Sequence, residues 1–342
     1  MSKTMRSVEI SSSDYEGKWI KARELLHEYI NKGGTAAEGA VAYMRGNFVT
    51  EFAERPRFRF HFTQAGLQAG ADGKFRTRVV VRNGRYEVVP LEEEVEAALP
   101  YLVEAIASMK PTAIVELGSG YGRILFQVAA ELERRMPDAH FDFHACEITK
   151  GGRDLTHELH ALAPHINLAV HHFDYYKPDV SFLPKDTKVL FYSVASVEQI
   201  PELPLTLAEA LLGFPSGTQG VHIEPIGWQS DPVLLAQRYG LEGTLSTRIR
   251  QFGYSLRKGI SKVLKLPVGF SGINLRPSDI GSDSNVRRNA AAWSLRKSYN
   301  RNMIKLFTTP PVCDRIVMKN LNINASGDNP FNPETILHWQ RN

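Results

Sequence analysis

The sequence has few cysteines and no long apolar segment, and both absences limit what the protein can be. Its 342 residues include only two cysteines, Cys146 and Cys313, which lie far apart and outside any CxxC or Cys/His cluster. A disulfide framework and a structural zinc site are therefore not predicted. No stretch approaches the roughly 18 consecutive apolar residues that cross a bilayer, and the opening MSKTMRSVEI lacks the apolar centre of a secretory signal. We expect a cytoplasmic protein with no metal centre.

Positive charge is concentrated in one part of the chain. The formal net charge is only +4. Residues 231–305 contain 14 lysines and arginines against 4 aspartates and glutamates, a net +10 that leaves −6 for the rest. Because 43% of the residues are hydrophobic, the chain is expected to fold around a sizeable core, and the basic segment belongs to a globular protein.

Residues 1–95 have the pattern of a separate N-terminal region. Apolar residues at helical spacing predict a helix near its start, and they are Trp19, Ala22, Leu25, Leu26, Tyr29 and Ile30. Phe58–Phe62 is a predicted strand. Arg78–Val81 is another, and the Asn83-Gly84 step joins it to Tyr86–Val89 in a predicted hairpin. We expect a small α+β cap.

Residues 96–342 alternate helical segments with short apolar strands, which is typical of a parallel sheet wrapped by helices. The seven predicted strands are Ala113–Leu117, His140–Glu147, Asn167–His172, Lys188–Ser193, Gly220–Glu224, Met303–Phe307 and Arg315–Leu321. An insertion at about residues 228–298 separates the fifth strand from the sixth and contains most of the basic segment. The predicted fold is α/β, a Rossmann-like sheet of seven strands with helices on both faces.

A glycine-rich turn follows the first strand of this predicted sheet. The strand runs directly into Gly118, Gly120 and Gly122, and a helical segment follows. Glycine lets the backbone turn sharply and lets a ligand approach the main chain at the helix N-terminus. The GxGxxG spacing of a dinucleotide-binding loop needs a glycine where this chain has Arg123 or Leu125. The spacing therefore disfavours a nicotinamide cofactor.

Glu116 and the three glycines after it resemble the Glu-x-Gly-x-Gly-x-Gly motif of class I S-adenosylmethionine-dependent methyltransferases. The resemblance implies that Glu116 orients the amino-acid portion of the cofactor. It also implies that Gly118, Gly120 and Gly122 lie against the methionine and ribose parts. In that family an acidic residue at the end of the second strand binds both ribose hydroxyls, since a carboxylate can accept both bonds. Here that residue is Glu147.

The third predicted strand ends in residues that suit the adenine of the same cofactor. Asp174 corresponds to the aspartate that contacts the adenine amino group in the family, and Phe173 is placed to pack on the ring. Ser193, at the end of the fourth strand, is a further cofactor candidate. The alternatives are a surface-loop carboxylate for Asp174 and an ordinary tight turn for the glycines. The resemblance covers residues 100–225 and the final two strands.

Methyl transfer needs an aligned acceptor and often a base, and three residues are candidates for catalysis. Glu198 follows the fourth strand, whereas His222 and Glu224 alternate along the fifth and share one of its faces. The alternatives are a hydrogen-bonded buried histidine for His222 and helix caps for the two glutamates. The polar run Asn300-Arg301-Asn302, just before the sixth strand, is either a source of substrate contacts or a turn.

Two further segments bear on the identity of the family member. Glu198-Gln-Ile followed by His222-Ile-Glu-Pro resembles uncharacterised bacterial members of this superfamily, and so does the tail Asp328-Asn-Pro-Phe-Asn-Pro-Glu. The resemblance implies no particular substrate.

Residues 245–265 of the insertion have the pattern of a cationic amphipathic helix. Three roles stay open for it: a lid over the active site, a surface for an anionic substrate or nucleic acid, and a helix lying on an anionic membrane. The lack of an accessory RNA- or DNA-binding module argues against nucleic acid.

The sequence thus predicts an S-adenosylmethionine-dependent methyltransferase of a biosynthetic pathway that acts on oxygen or nitrogen of a small polar metabolite. A metabolite with an anionic group would fit this prediction. One alternative is an RNA or protein methyltransferase that uses the basic insertion. The other is a non-catalytic binding or membrane-associated protein that keeps a methyltransferase-like fold.

Overall fold

The computed structural model describes residues 3–93, 95, 98–241, 273–283 and 285–342. The predicted amphipathic helix at residues 245–265 lies outside the described residues. Helices α1 to α10 are Lys3–Asn31, Ala37–Glu54, Pro56–Gln64, Ala98–Met109, Arg123–Arg135, Lys150–His160, Leu205–Leu211, Pro232–Leu241, Val286–Lys297 and Met303–Thr308. Strands β1 to β9 are Thr77–Arg82, Arg85–Pro90, Ala113–Leu117, Asp142–Glu147, Leu168–His172, Val189–Val194, Gln219–Glu224, Ile316–Gly327 and Glu334–Arg341. Short 3₁₀-helices cover Val197–Gln199, Gly227–Ser230, Pro277–Asp279 and Cys313–Arg315.

The nine strands of the described residues form one sheet, in the order β2-β1-β8-β9-β7-β6-β3-β4-β5. The strands from β3 to β7 run parallel to their neighbours among themselves, whereas β9 is antiparallel to both β7 and β8. The predicted count of seven strands is too low because the N-terminal hairpin joins the sheet. Val81 and Arg82 of β1 pair with Gly327 and Ser326 of β8.

Helices cover both faces of the sheet, and the side chains of β6 alternate between the two hydrophobic cores that result. Leu190 and Tyr192 belong to the core that α1, α2, α4, α5 and α6 share. Val189 and Phe191 belong to the core on the other face, which α7 and α10 share. Alternate residues of a strand point to opposite faces, so a strand that is apolar throughout is buried on both sides. The α/β class is therefore confirmed.

Two predicted strands are helices in the structure. Phe58–Phe62 lies within α3, where Phe58, His61 and Phe62 are buried at the three- and four-residue spacing of a helix face. Pro56 at the first turn favours the helix because its fixed φ suits that position. Met303–Phe307 lies within α10, which buries Met303 and Phe307 four residues apart. The last strand, β9, follows in the part of the tail where none is predicted.

Aromatic packing connects the N-terminal region to the end of the chain. Phe58 and Phe62 of α3 share a buried cluster with Trp293 of α9 and Phe331 of the β8–β9 connection. The rings of Phe58 and Phe331 stack with their centroids 6.3 Å apart.

Among the described residues, no helix has the length and apolar character to cross a membrane.

Candidate active site

The glycine loop after β3 has a backbone that other residues adopt only with strain. Gly118, Gly120 and Gly122 have φ values of 70°, 58° and 80°. A Cβ at Gly118 would lie 2.6 Å from Cβ of Ser196, in the loop after β6. The N–H groups of Gly118 and Ser119 both donate to the carbonyl of Cys146, at 2.7 and 3.0 Å. The loop is therefore held between the ends of β4 and β6, and glycine is required there.

A cavity of about 260 Å³ opens over this loop, at the carboxyl ends of β3 to β6. The structure brings six of the predicted cofactor residues to its wall, namely Glu116, Gly118, Gly120, Glu147, Phe173 and Asp174. Gly122 is the N-cap residue of helix α5, where a Cβ would lie 3.1 Å from the ring of Phe126. Parallel strands carry their carboxyl ends to one edge of a sheet, which explains why residues from separate motifs meet here.

Glu116 places a buried carboxyl group at the base of the cavity. Its side chain belongs to β3, and the residue is only 3% exposed. Burial raises the pKa of this carboxyl to about 8, although the Tyr192 hydroxyl and the nearby positive charge of Arg123 act in the opposite direction. Glu116 Oε2 has no hydrogen-bond partner of ordinary geometry among the described residues. A buried acceptor in a cavity wall is suited to a donor that a ligand supplies.

Glu147, at the end of β4, is held by donors on both of its oxygens. The N–H of Gly120 donates to Oε2 at 2.9 Å. The N–H and the hydroxyl of Thr149 donate to Oε1 at 2.8 and 2.6 Å. Burial raises the pKa of Glu147, and these hydrogen bonds counteract the rise. The carboxylate is thereby fixed in orientation beside the glycine loop, and Oε2 has a lone pair left for a ligand hydroxyl.

The wall after β5 combines an aromatic ring with a carboxylate. Phe173 is 2% exposed and packs edge-to-face against Tyr175, with ring centroids 5.3 Å apart. Asp174 is half-buried, and its Oδ1 accepts from the N–H of Tyr176 at 2.9 Å. The hydroxyl of Tyr175 donates to the carbonyl of Leu117 at 2.8 Å, which ties this wall to the end of β3.

Three predicted site residues lie away from the cavity, and the prediction for them is corrected. Ser193, His222 and Glu224 are not among the described residues that line it. The indole N–H of Trp339 donates to His222 Nε2 at 3.1 Å, so Nδ1 carries the proton and donates to the Ser193 hydroxyl at 3.0 Å. Burial lowers the pKa of His222 to about 3, which removes it as a base near neutral pH.

Glu224 acts as a cap for the backbone after β6. Its Oε1 accepts from the N–H groups of Ser196 and Val197, and its Oε2 accepts from that of Glu198, each at 3.2 Å. These donors belong to the first turn of the 3₁₀-helix Val197–Gln199, whose N–H groups have no partner within the helix. The alternation of His222 and Glu224 on β7 is real, but it places both side chains in the interior.

Glu198 lies beside the cavity and contacts it through its neighbour. Gln199 lines the cavity, and its amide donates to Glu198 Oε1 at 2.5 Å. The amide of Asn332, from the β8–β9 connection, donates to Oε2 at 2.6 Å. Burial raises the pKa of Glu198 to about 8. The carboxyl therefore orients Gln199 within the wall.

Replacing Glu198 with glutamine is expected to flatten part of the pH dependence of stability. The folded protein keeps this proton up to about pH 8, whereas the unfolded chain loses it near 4.5. The contribution to stability is thus complete below pH 4.5 and is lost as the pH rises toward 8. Between about pH 5 and about pH 7.5, the unfolding free energy of the wild type should fall by about 1 kcal/mol per pH unit more than that of Glu198→Gln.

Urea denaturation across this pH range measures both slopes. Glu209→Gln, a change at an exposed glutamate of α7, is the control and should keep the wild-type slope. Equal slopes in the wild type and in Glu198→Gln would contradict the raised pKa.

The polar run before α10 is a turn that supports the cavity wall. Asn300 is 1% exposed, and its amide donates to the carbonyl of Ile200, a lining residue, at 2.8 Å. Its Oδ1 accepts from the N–H groups of Asn302 and Met303 at 3.1 and 2.9 Å. Arg301 forms an ion pair with Glu202 at 2.5 Å. Of the two interpretations of this run, the structure favours the turn.

Several lining residues carry no signal in the sequence. Tyr15 and Trp19 belong to α1, and their helical spacing indicates only an apolar face. Tyr175 and Gln199 also line the cavity, next to the predicted Asp174 and Glu198. Arg123 lines it as well, and its position directly after the glycine loop is the one signal that could have identified it.

No family model and no curated protein matches this chain. Several solved structures are similar to it. One is a methyltransferase of Podospora anserina bound to S-adenosylhomocysteine, with 11% identity and a TM-score of 0.37 over 71% of this chain and 76% of that one. Another is the plantazolicin methyltransferase BpumL in complex with a triazolic desmethylPZN analogue and S-adenosylhomocysteine, with 12% identity and a TM-score of 0.37 over 72% and 86% of the two chains. A third is described as a zinc-dependent alcohol dehydrogenase of Rhodobacter sphaeroides, with 10% identity and a TM-score of 0.35 over 68% and 85%. Likenesses at this level do not identify the reaction of this chain.

Proposed function

We propose that this chain is a class I S-adenosylmethionine-dependent methyltransferase, and that its acceptor is an oxygen or nitrogen of a small polar metabolite in a biosynthetic pathway. The observation that carries the proposal is the meeting of Glu116, Glu147 and the glycine loop in one cavity. This cavity lies where the strand order reverses, because β3 has β4 on one side and β6 on the other. Ligands of open α/β sheets bind at such a switch point.

The cavity residues fit the separate parts of this cofactor. Glu116 Oε2, which has no hydrogen-bond partner of ordinary geometry among the described residues, suits the ammonium of the methionine portion. Glu147 suits the ribose hydroxyls, and Phe173 with Asp174 suits the adenine ring and its amino group. A Cβ at Gly120 would lie 3.0 Å from the Trp19 ring. The loop backbone is therefore open to the ligand only because residue 120 has no side chain.

The charges of the cavity favour a cation over a dinucleotide. The ionisable side chains among the described residues that line it are three carboxyl groups and one guanidinium: Glu116, Glu147, Asp174 and Arg123. S-adenosylmethionine carries a sulfonium and an ammonium against one carboxylate, and its ammonium can pair with an ionised Glu116, whereas a nicotinamide dinucleotide would bring an anionic pyrophosphate to the same glycine loop. Like charges at close range are costly, so the cavity is suited to the former.

When bound, S-adenosylmethionine supplies an activated methyl group for an in-line displacement. The chain's own contribution is to hold the donor and to align the acceptor. On the wall after β6, Gln199 gives its amide N–H to Glu198, so its carbonyl oxygen is the group that can accept from an O–H or N–H of the acceptor. Glu198 is thus proposed as a positioning residue that acts through Gln199.

Calorimetric titration with S-adenosylhomocysteine tests the cofactor assignment. The wild type should bind, and Gly120→Arg should not, since its side chain would enter the cavity from a residue that lines it. Gly217→Arg is the matched control, because Gly217 also has a positive φ of 86° but a Cβ there meets nothing within 4 Å. It should bind as the wild type does. The absence of binding by folded wild type, or binding by folded Gly120→Arg, would contradict the proposal.

A further inference from the structure

We infer that Trp19 of α1 is a positioning residue for the cofactor and acts through the Thr149 hydroxyl on the carboxylate of Glu147. The inference rests on the proposed function, since it assigns a role within the same site. Trp19 lies far from the glycine motif in sequence, and it lines the cavity together with Tyr15. No residue of α1 belongs to the part of the chain that resembles the methyltransferase family.

The hydrogen bonds at Thr149 leave its hydroxyl a single orientation. The indole N–H of Trp19 donates to Thr149 Oγ1 at 2.8 Å, and the N–H of Gly152 donates to the same oxygen at 3.3 Å. A threonine hydroxyl has two lone pairs and one proton, and an indole nitrogen can only donate. Both lone pairs are therefore used, and the proton must point to Glu147 Oε1, which lies 2.6 Å away.

This arrangement sets how Glu147 meets a ligand. With the Thr149 hydroxyl locked onto Oε1, the carboxylate is anchored at that oxygen, and Oε2 faces the N–H of Gly120 at 2.9 Å. Fixing a carboxylate before the ligand arrives lowers the entropy lost on binding. Trp19 thereby contributes to cofactor affinity through the Thr149 hydroxyl and the Glu147 carboxylate, without a direct contact between its ring and the ribose.

The ring of Trp19 is held in place by the glycine loop and two tyrosines. Its six-membered ring packs against Gly120, where a Cβ would be 3.0 Å from the nearest ring carbon. Tyr121 packs edge-to-face against it and Tyr15 packs against it at a tilt of 34°, each with a centroid distance of 5.6 Å. The ring and the glycine loop are thus in direct contact, so a bound ligand at the loop is also beside Trp19.

Contacts between α1 and α6 fix the helix that carries Trp19. The carboxylate of Glu16 accepts from the N–H of Gly151 at 3.1 Å, in the first turn of α6. Arg23 forms an ion pair with Glu158 at 2.8 Å, farther along the same helix. A carboxylate at a helix N-terminus is stabilised by the helix dipole. The helix α1 is therefore part of the wall of the cofactor cavity.

A double-mutant cycle tests the route through Thr149. Trp19→Phe keeps a ring and removes the N–H, and Thr149→Val keeps the shape and removes the hydroxyl. In calorimetry with S-adenosylhomocysteine, we expect Trp19→Phe to weaken binding roughly three- to tenfold, the value of one hydrogen bond. The same change in the Thr149→Val background should have no further effect, because the coupled group is gone. A Trp19→Phe effect that is absent, or equal in both backgrounds, would overturn the inference.

The change of tryptophan fluorescence on ligand addition gives a second readout. A purely structural role of Trp19, away from the ligand, would not produce this change. Of the four tryptophans, Trp19 lines the cavity, whereas Trp228, Trp293 and Trp339 are buried elsewhere. Addition of S-adenosylhomocysteine should alter the emission of the wild type and of Trp293→Phe but not that of Trp19→Phe. An emission change of the same size in Trp19→Phe would overturn the inference, whereas calorimetric binding by the wild type would still uphold the proposed function. Wild type that binds no S-adenosylhomocysteine would overturn both.

Discussion

Replacing Glu147 with alanine is expected to weaken the binding of S-adenosylhomocysteine by roughly a hundredfold or more. The carboxylate is fixed by Gly120 and Thr149 and is 6% exposed, so its hydrogen bonds to a ribose would form in a site largely shielded from water. Hydrogen bonds to a charged group contribute about 1.5–3 kcal/mol each, and two of them account for the expected loss. Calorimetric titration of the folded variant measures it.

An analogue of S-adenosylhomocysteine without the two ribose hydroxyls makes the test specific. It should bind the wild type about as weakly as S-adenosylhomocysteine binds Glu147→Ala, and Glu147→Ala should bind both ligands alike. Glu104→Ala, a change at an exposed glutamate of α4, is the control and should bind as the wild type does. If Glu147→Ala binds S-adenosylhomocysteine within a few-fold of the wild type, Glu147 is not the ribose ligand.

Cofactor binding is also expected to release a proton from Glu116. Burial raises the pKa of this carboxyl to about 8, so it carries its proton at neutral pH in the free protein. An ammonium placed at Oε2 favours the ionised form, so binding and deprotonation are linked. Because binding releases a proton, affinity should rise with pH, by up to about tenfold per unit between about pH 6 and about pH 8.

Calorimetry in two buffers of different ionisation enthalpy gives the number of protons released, and near neutral pH it should approach one per site. Glu116→Gln cannot ionise, so its affinity should be nearly independent of pH in this range. In the wild type, 5′-methylthioadenosine should show the same independence, because it lacks the amino-acid portion. A wild-type affinity for S-adenosylhomocysteine that does not change with pH would refute the pairing of Glu116 with the ammonium.

The glycine-loop side of the cavity could be predicted because its determinants are local. Glycines at Gly118 and Gly120 follow an apolar strand directly, and their positive φ values are what that spacing requires. Glu147 and Asp174 sit at or just after the ends of the next two strands. A parallel sheet brings such ends to one edge, so few long-range contacts had to be known. The N-terminal hairpin was predictable for the same reason, from its Asn83-Gly84 turn.

The orientation of the candidate catalytic side chains on β7 could not be predicted in this way. His222 and Glu224 share a face of β7, but only their contacts with Trp339 and with the backbone after β6 reveal that this face is interior. The period-two pattern of arginine and phenylalanine at Phe58–Phe62 favoured a strand. Packing of Phe58 against Trp293 and Phe331 stabilises a helix instead. Tertiary contacts commonly override such short patterns.

The sequence by itself determined the α/β class, the glycine turn and the order of the carboxylates at or near the ends of the first three parallel strands. Turn conformation and strand ends depend on residues that are close together in the sequence, so the sequence alone is enough to predict them. The tertiary structure alone decided which side chains face the cavity and which ring lies over the glycine loop. Trp19 and Thr149 are 130 positions apart, and their hydrogen bond exists only because α1 packs on α6.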